Sequence, residues 1–313
     1  MNRKSKDYLI LVLKGIGMGA ADVVPGVSGG TIAFITGIYE ELINSIKSIN
    51  FKAIKLLFGL KIAEFWKTIN GTFLLSVVLG IMVSIFSLAK LIEYLLNHYP
   101  VLIWSFFFGL IIASTVYVAK TIKKWNAVNI FSAVAGILVA YFITIISPVE
   151  ANTAYWFIFI SGAVAICAMI LPGISGSFIL VLLGMYKFIL EAVGNLQISI
   201  LITFLAGAVI GIIAFSNFLS WLLRKYHNQT IALLAGFMVG SLNKVWPWKQ
   251  VPETFIDHTG EIKPLVEKNI MPETYEQITG NSASLFWAVT IAIAGFALIF
   301  VIESLTKTKN KKN

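Results

Sequence analysis

Two short stretches combine the residue types that can hold an anion without a cofactor, namely backbone amides freed by proline and glycine, with hydroxyls beside them. Residues 22–39 read DVVPGVSGGTIAFITGIY and residues 169–186 read MILPGISGSFILVLLGMY. Pro25, Gly26, Ser28 and Gly29 recur as Pro172, Gly173, Ser175 and Gly176, and the match runs on through Ile32/Ile179, Gly37/Gly184 and Tyr39/Tyr186, always 147 residues apart. Proline at a first helical position gives up an amide that has no intrahelical partner. The amides of Gly26, Val27 and Ser28, and of Gly173, Ile174 and Ser175, then face the turn at the positive end of a short helix, which attracts phosphate. Hydroxyls of Ser28, Thr31, Ser175 and Ser177 add donors, and the absence of Cβ at Gly26, Gly29, Gly30, Gly173 and Gly176 allows close backbone approach. The same phrase also suits tight helix packing. Its duplication, together with the shortness of the flanking apolar runs, favours anion contact.

Asp22 stands three residues before Pro25 and is replaced by Met169 in the second copy. An acid at that depth is costly unless it faces protein or water. It reads as a proton-coupling or gating carboxylate, as a cap for a turn amide or hydroxyl, or as a shallow solvated group. Basic residues available to a phosphate are Lys14, Lys90, Lys187, Arg224 and Lys244. Lys14 either snorkels to the surface or reaches the turn. Lys90 and Glu93 have the spacing of a helical ion pair. Lys244, between Asn243 and the aromatic run Trp246 and Trp248, fits a site or an interfacial belt. Asn217 is a cavity polar group or an interhelical donor.

Hydrolytic chemistry has little support. His98, His227 and His258 fall in loops or at span ends, there is no HExxH, and neither turn has a neighbouring His, Arg or Glu to activate a nucleophile. No catalytic residue and no metal ligand set emerges, and no cofactor is expected beyond coupling to a proton or sodium gradient. A lipid-phosphate phosphatase requires distant segments to deliver its acid and base. A channel or a transporter for a small soluble anion fits the anion-compatible turns as well.

The elements that must position these turns are membrane spans. The chain has 313 residues, 58% of them hydrophobic and 12% charged, with a mean hydropathy of +0.86, far outside the soluble range. The single cysteine, Cys167, rules out an intrachain disulfide or a cysteine metal cluster. The net charge of +9 is dispersed over short loops and tails, which makes it a topology signal and not a nucleic-acid surface. No cleaved signal peptide is expected, because the first turn follows almost directly on the first apolar run.

Taken in order, the basic tail (Arg3, Lys4, Lys6) predicts a cytoplasmic N-terminus. Apolar runs 8–18 and 32–38 are each too short to span, so residues 8–43 predict a re-entrant hairpin turning at 25–30. Residues 44–70 interleave Lys47, Lys52, Lys55, Lys61 and Lys67 with apolar side chains, which predicts a helix lying either on an anionic leaflet or on the protein's own cytoplasmic face. Spans follow at about 73–96, 101–119 and 128–146, with the basic link 120–124 inside. A second hairpin is expected at about 155–190, then spans at about 198–223, 230–246 and 284–302. Between the last two, the acid-rich loop 247–281 belongs outside, and the lysine-rich C-terminus belongs in the cytoplasm.

The second set of spans aligns with the first at an offset of 127: Gly80 with Gly207, Tyr99 with Tyr226, Gly109 with Gly236, Ser114 with Ser241. The chain therefore divides into repeats 1–148 and 149–313. Each carries one hairpin and three spans, and because three is odd the second repeat must be inverted. The fold class expected is an all-α polytopic membrane protein with an inverted-topology repeat, a layout suited to alternating access.

The phrases AADVVPGVSGGTIAFITGIYEEL (20–42) and ILPGISGSFILVLLGMY (170–186) resemble the bacterial membrane family of undecaprenyl (polyprenyl) phosphate translocases of the PopT type, formerly a domain of unknown function. The resemblance covers nearly the whole chain. It implies return of undecaprenyl phosphate from the outer to the inner leaflet of the cytoplasmic membrane, which renews the lipid carrier for envelope polymers. It also implies membrane lipids as partners, with a homo-oligomer as an open possibility, and matches the family's glycine/serine turns to 25–30 and 172–177. The departures are Ser177 in place of Gly30 and Met169 in place of Asp22. A tail that stays in lipid while its head moves calls for a lateral opening beside the turns.

Overall fold

A computed structural model describes residues 3–24, 27–256 and 262–310. Pro25, Gly26, Asp257, His258, Glu261, Lys311 and Lys312 lie outside the described residues. The mostly helical, multi-pass character expected from composition holds. The first half runs through α1 (Ser5–Val23), α2 (Gly29–Ile35), α3 (Tyr39–Lys47), α4 (Phe51–Phe58), α5 (Ile62–Thr68), α6 (Gly71–His98), α7 (Pro100–Thr121) and α8 (Ala127–Ile145). The second runs through α9 (Tyr155–Ile170), α10 (Gly176–Leu182), α11 (Tyr186–Gly194), α12 (Ile198–Lys225), α13 (His227–Ser241), strands β1 (Lys249–Ile256) and β2 (Ile262–Asn269), α14 (Pro272–Thr279) and α15 (Leu285–Asn310).

Local chemistry sets these boundaries. Pro100 opens α7 at the position where its missing amide costs nothing. The Asn126 side chain caps α8 by accepting from the Asn129 amide at 2.9 Å. Gly37 and Gly184, equivalent in the two glycine-rich phrases, both take left-handed φ, +72° and +67°, and stop α2 and α10 after seven residues. Tyr99 and Tyr226, equivalent in the span alignment, turn the chain with nearly the same angles, φ −133° ψ 48° and φ −132° ψ 51°.

The halves share more than turns. α3 and α11 have nine residues each, and α6 and α12 have 28 each. α1 packs along α6 as α9 packs along α12, while α7 pairs with α15 and α8 with α13. Glycines close the first two crossings. A Cβ on Gly15 or Gly80 would overlap the facing backbone at Val77 or Val12, and one on Gly162 or Gly207 that at Phe204 or Phe159. Gly15 and Gly162 thus serve close helix packing.

Four helices among the described residues are long and apolar enough to cross a membrane, at Gly71–Leu88, Pro100–Thr121, Ala127–Ile145 and Ile198–Lys225; a fifth counts if α10 and α11, bent by 109°, are one span. Of the six full spans expected, that at 284–302 opens α15, and one comes out shorter. The span expected at 230–246 is α13, whose 15 residues reach only ~22 Å against a hydrocarbon core of roughly 30 Å. α13 is largely sheathed by protein, with Ile231, Ala232, Leu234 and Met238 buried, and Ser241 ends it where the chain turns into the loop. In the other direction, α1 continues through Gly19, Ala20 and Ala21 to 19 residues, well past the apolar run that predicted it.

Two further differences concern polar segments. Segment 44–70 forms α3's end and two short helices, not one, and α4 and α5 bury only Ala53 between them. Phe51 and Phe58 are each 83% exposed, whereas Trp66 turns back on the start of α6, donating to the Thr72 hydroxyl at 3.0 Å. The loop 247–281 carries an antiparallel hairpin, β1 with β2, and the short α14. Trp248, just before β1, ties the two ends of this region together by donating to the Ala283 carbonyl, ahead of α15, at 3.0 Å.

Candidate functional site

The two glycine-rich turns meet inside the main core and bond one another. The Ser28 hydroxyl donates to the Met169 carbonyl at 2.9 Å, and the Thr31 hydroxyl accepts from the Gly173 amide at 3.0 Å. A Cβ on Gly30 would overlap the Ile170 carbonyl, so only glycine lets α2 pass the end of α9 at this distance. Gly173 itself has φ +87°, and a Cβ there would stand 2.9 Å from the Phe237 carbonyl of α13. Val27, Ser28, Thr31, Ile174 and Ser175 are all buried.

Most of the expected anion donors have protein acceptors in this arrangement. The Gly29 amide donates to Asp22 Oδ1 at 2.7 Å, and the Gly30 amide to Ser28 Oγ at 3.0 Å. The amides of Val27 and Ile174 close turns onto the carbonyls of Val24 and Leu171. Ser175 and Ser177 lie hydroxyl to hydroxyl at 2.8 Å, with Gly176 opening α10 between them. Asp22 sits as a cap on the N-terminus of α2, where a carboxylate is favoured by the helix dipole. Gly26 lies outside the described residues.

The basic candidates separate clearly. Lys14 donates to the Thr36 carbonyl at 2.6 Å, at the C-terminal end of α2 and so at the opposite end from Asp22. Lys187 pairs loosely with Glu191 on exposed α11 at 3.8 Å. Arg224 is exposed and turns back to the Ser220 carbonyl at 3.3 Å. Asn217 is exposed on α12 and donates to the Ile213 carbonyl, so it neither lines a cavity nor bridges helices. Lys90 is exposed on α6, one turn before the partly buried Glu93. None of these is brought to the turns.

Asn243 and Lys244 are different. The Lys244 ammonium lies 4.4 Å from the ring centre of Phe178, the residue after Ser177, and donates to Glu267 Oε2 at 2.8 Å. Lys249 donates to the same oxygen at 3.0 Å and rests on the Trp104 ring, 3.5 Å from its centre. Asn243 donates to the Thr144 hydroxyl at 2.7 Å, and Asn269 donates to Asn243 Oδ1 at 2.9 Å. Thr144, Asn243, Lys244, Lys249, Glu267 and Asn269 line one cavity of about 400 Å³, together with Ser147, Lys268 and the apolar Ile145, Ile146, Pro148, Phe178, Val181 and Leu182. Sequence reading missed Lys249, Glu267 and Thr144. The available signal was weak: a lysine following Trp248 in an otherwise acidic loop, with no local pattern to tie it to a carboxylate 18 residues on.

Burial pushes the Lys249 ammonium down, to about 8, against the pull of Glu267. Burial alone raises the Glu267 carboxyl, but Lys249 and Lys244 outweigh it and hold it well below the usual range, at about 2. A depressed carboxylate contributes stability that is complete above its ordinary 4.5 and is lost as pH falls toward about 2. The depressed lysine costs stability below about 8, and that cost is relieved as pH rises from there toward 10.5. Hydrogen exchange of the β1 amides, corrected for the intrinsic rate, is therefore expected to stay flat from about pH 5 to 7.5 and to accelerate on acidification below about 4.5. Acceleration beginning at pH 6 contradicts this assignment.

A family model described as undecaprenyl phosphate translocase-like matches residues 18–263, which include both turns and the Lys244–Lys249 pair. A Vibrio cholerae serotype O1 protein named polyprenyl-phosphate transporter is 46% identical over 303 residues, 97% of this chain and 98% of that one. A Staphylococcus aureus protein of the same name is 33% identical over 256 residues, 76% of this chain and 86% of the other. No solved structure matches. With a family match across most of its length and a near-full-length relative, the chain belongs to the undecaprenyl phosphate translocase-like family.

Proposed function

We propose that this protein carries polyprenyl phosphate, specifically undecaprenyl phosphate, from the outer to the inner leaflet of the bacterial cytoplasmic membrane. The observation that carries the reading is the cavity beside Phe178. Its lining combines the ammoniums of Lys244, Lys249 and Lys268 and the amides of Asn243 and Asn269 with the apolar side chains of Ile145, Ile146, Pro148, Val181 and Leu182, and Phe178, in the helix that begins at the second turn, lies against Lys244. A phosphate on a prenyl chain needs both kinds of surface at once, whereas a small soluble anion gains nothing from the apolar side chains. Both relatives bear names for transport of this class of lipid.

The matched lengths and pairings of the halves support an inverted repeat, in which α1 to α3 and α9 to α11 form re-entrant hairpins from opposite leaflets, and the basic tails put both termini in the cytoplasm. Alternating access then means that the mutual bonds of the turns, Ser28 to Met169 and Thr31 to Gly173, break and re-form as the head passes. The amides now held by Asp22 and Ser28 become its ligands when they do. Asp22 acts as the gate at this point, its bond to the Gly29 amide weakening and its negative charge leaving the path of the phosphate when a proton neutralises it. On the same topology α4 and α5 lie on the inner leaflet, Phe51 and Phe58 in the acyl boundary and Lys52 and Lys55 toward the headgroups.

The test is reconstitution. Liposomes containing the purified protein are expected to move undecaprenyl phosphate between leaflets at least about tenfold faster than protein-free liposomes, under an imposed proton or sodium gradient, a factor that needs only ~1.4 kcal/mol off the barrier. A folded preparation that leaves the rate unchanged under every gradient, or that instead accelerates inorganic phosphate uptake, overturns the proposal.

A further inference from the structure

We propose that the cavity between Lys244 and Lys249 is the receiving site for a phosphomonoester head, and that Glu267 fills it as a tethered stand-in which the incoming phosphate displaces. The identity of the lipid rests on the translocation reading; the anion chemistry rests on the geometry alone.

Two ammoniums from separate segments, the turn after α13 and the start of β1, converge on one oxygen of one carboxylate, at 2.8 and 3.0 Å. Their side chains are 16% and 6% exposed, and that of Glu267 is 14% exposed, so the pairing is largely withdrawn from water. One carboxylate leaves such a cluster with surplus positive charge, and Lys268, lining the same cavity, adds to it. Uncompensated charge in a dry site is expensive. A phosphomonoester, with a charge of about −1.5 to −2 near neutral pH and three acceptor oxygens, balances two ammoniums better than a carboxylate does.

The surroundings have the form of a head-and-tail site. Asn243, Asn269 and Thr144 form a hydrogen-bonded rim around the cationic end. Ile146, Pro148, Val181 and Leu182, in the same lining, provide apolar surface for the first isoprene units. Phe178 lies under Lys244 and belongs to α10, so a head seated here is one side chain away from Ser177 and the second turn. Glu267 is carried on β2, which is tied to the turn after α13 by the bond to Lys244 and by Asn269, which donates to the Asn243 carbonyl at 2.6 Å. Displacing Glu267 breaks the first of these ties and leaves the second, so the hairpin stays in place at the cavity while the head enters.

A tethered competitor acts at an effective concentration on the order of millimolar, so its removal should sharpen binding and not impair it. That sign separates the proposal from a purely structural ion cluster. Isothermal titration of the full chain in detergent, with a prenyl monophosphate of three or four isoprene units in one arm and inorganic phosphate in the other, measures it. Glu267→Gln is expected to bind the prenyl monophosphate about tenfold more tightly than the parent, and Lys249→Met about tenfold more weakly. Tightening in both arms upholds the site and shows that the head alone is read; tightening confined to the prenyl arm upholds it with the apolar side chains engaged. Unchanged or weaker binding by Glu267→Gln in both arms overturns it. Should that variant fail to fold, Glu267→Asp, one methylene shorter, is expected to tighten binding by a smaller factor, and no gain there overturns the proposal equally. Wild-type transfer in liposomes reports separately. Transfer without tightening sinks the receiving site alone, and tightening without transfer sinks translocation while upholding an anion site.

Discussion

Replacing Gly30 with valine is expected to abolish leaflet-to-leaflet transfer while leaving a folded, membrane-inserted protein. A Cβ at this position overlaps the Ile170 carbonyl, so the smallest addition already drives α2 away from the end of α9. Forced enlargement of a packed contact costs roughly 1–3 kcal/mol and sometimes more. Here the displacement also breaks the bonds from Ser28 to Met169 and from Gly173 to Thr31, which close the two turns against each other. Each such buried bond is worth about 1 kcal/mol net, and more when one partner is left unsatisfied. The closed arrangement is thereby destabilised by several kcal/mol relative to any open one, and a cycle that must pass through it slows by a hundredfold or more. Liposome transfer measures the loss, and thermal melting shows whether the fold survives. Gly30→Val transferring within threefold of the parent rate would show that the contact between the turns has no part in the cycle.

Asp22 separates two roles that its position combines. Asn at this site keeps an acceptor for the Gly29 amide, which now reaches Asp22 Oδ1 at 2.7 Å, and removes the charge. Alanine removes both and leaves a buried donor unsatisfied, at a cost of about 1–3 kcal/mol. The expected order of thermal stability is therefore parent and Asp22→Asn close together, with Asp22→Ala lower by several degrees, since ~1 kcal/mol shifts Tm by about 2–4 °C in a chain of this size. Transport is expected to behave differently. If the carboxylate gates the turn through its protonation, Asp22→Asn mimics the neutral form, and its rate loses the pH dependence of the parent. A pH profile unchanged in Asp22→Asn removes the gating role and leaves Asp22 as a cap.

Much of the helical, multi-pass character was legible because apolar runs and a duplicated phrase are local properties. The equivalence of Gly37 with Gly184, or of Tyr99 with Tyr226, is visible as spacing and reappears as matching backbone angles. Helix length was less legible. α13 stops at Ser241 and α1 runs on through Gly19 to Ala21, because burial by neighbouring helices sets how far each continues, and a hydropathy run contains no neighbours.

The site divides along the same line. By itself the sequence determined that two proline- and glycine-rich turns exist, that their hydroxyls and bare backbones suit a phosphate, and that Asp22 breaks their symmetry. Only the tertiary structure decided that Ser28 bonds Met169 and Thr31 bonds Gly173, so that the turns currently satisfy one another. It also decided that Lys14, Lys187, Arg224 and Asn217 are spent elsewhere, and that Lys244 joins Lys249 on Glu267 beside Phe178. The physical reason is range. Turn propensity and helix dipoles act over a few residues, whereas a charge finds its partner through space, and the partner of Lys244 lies 23 residues along the chain, across a strand reversal that no periodicity announces.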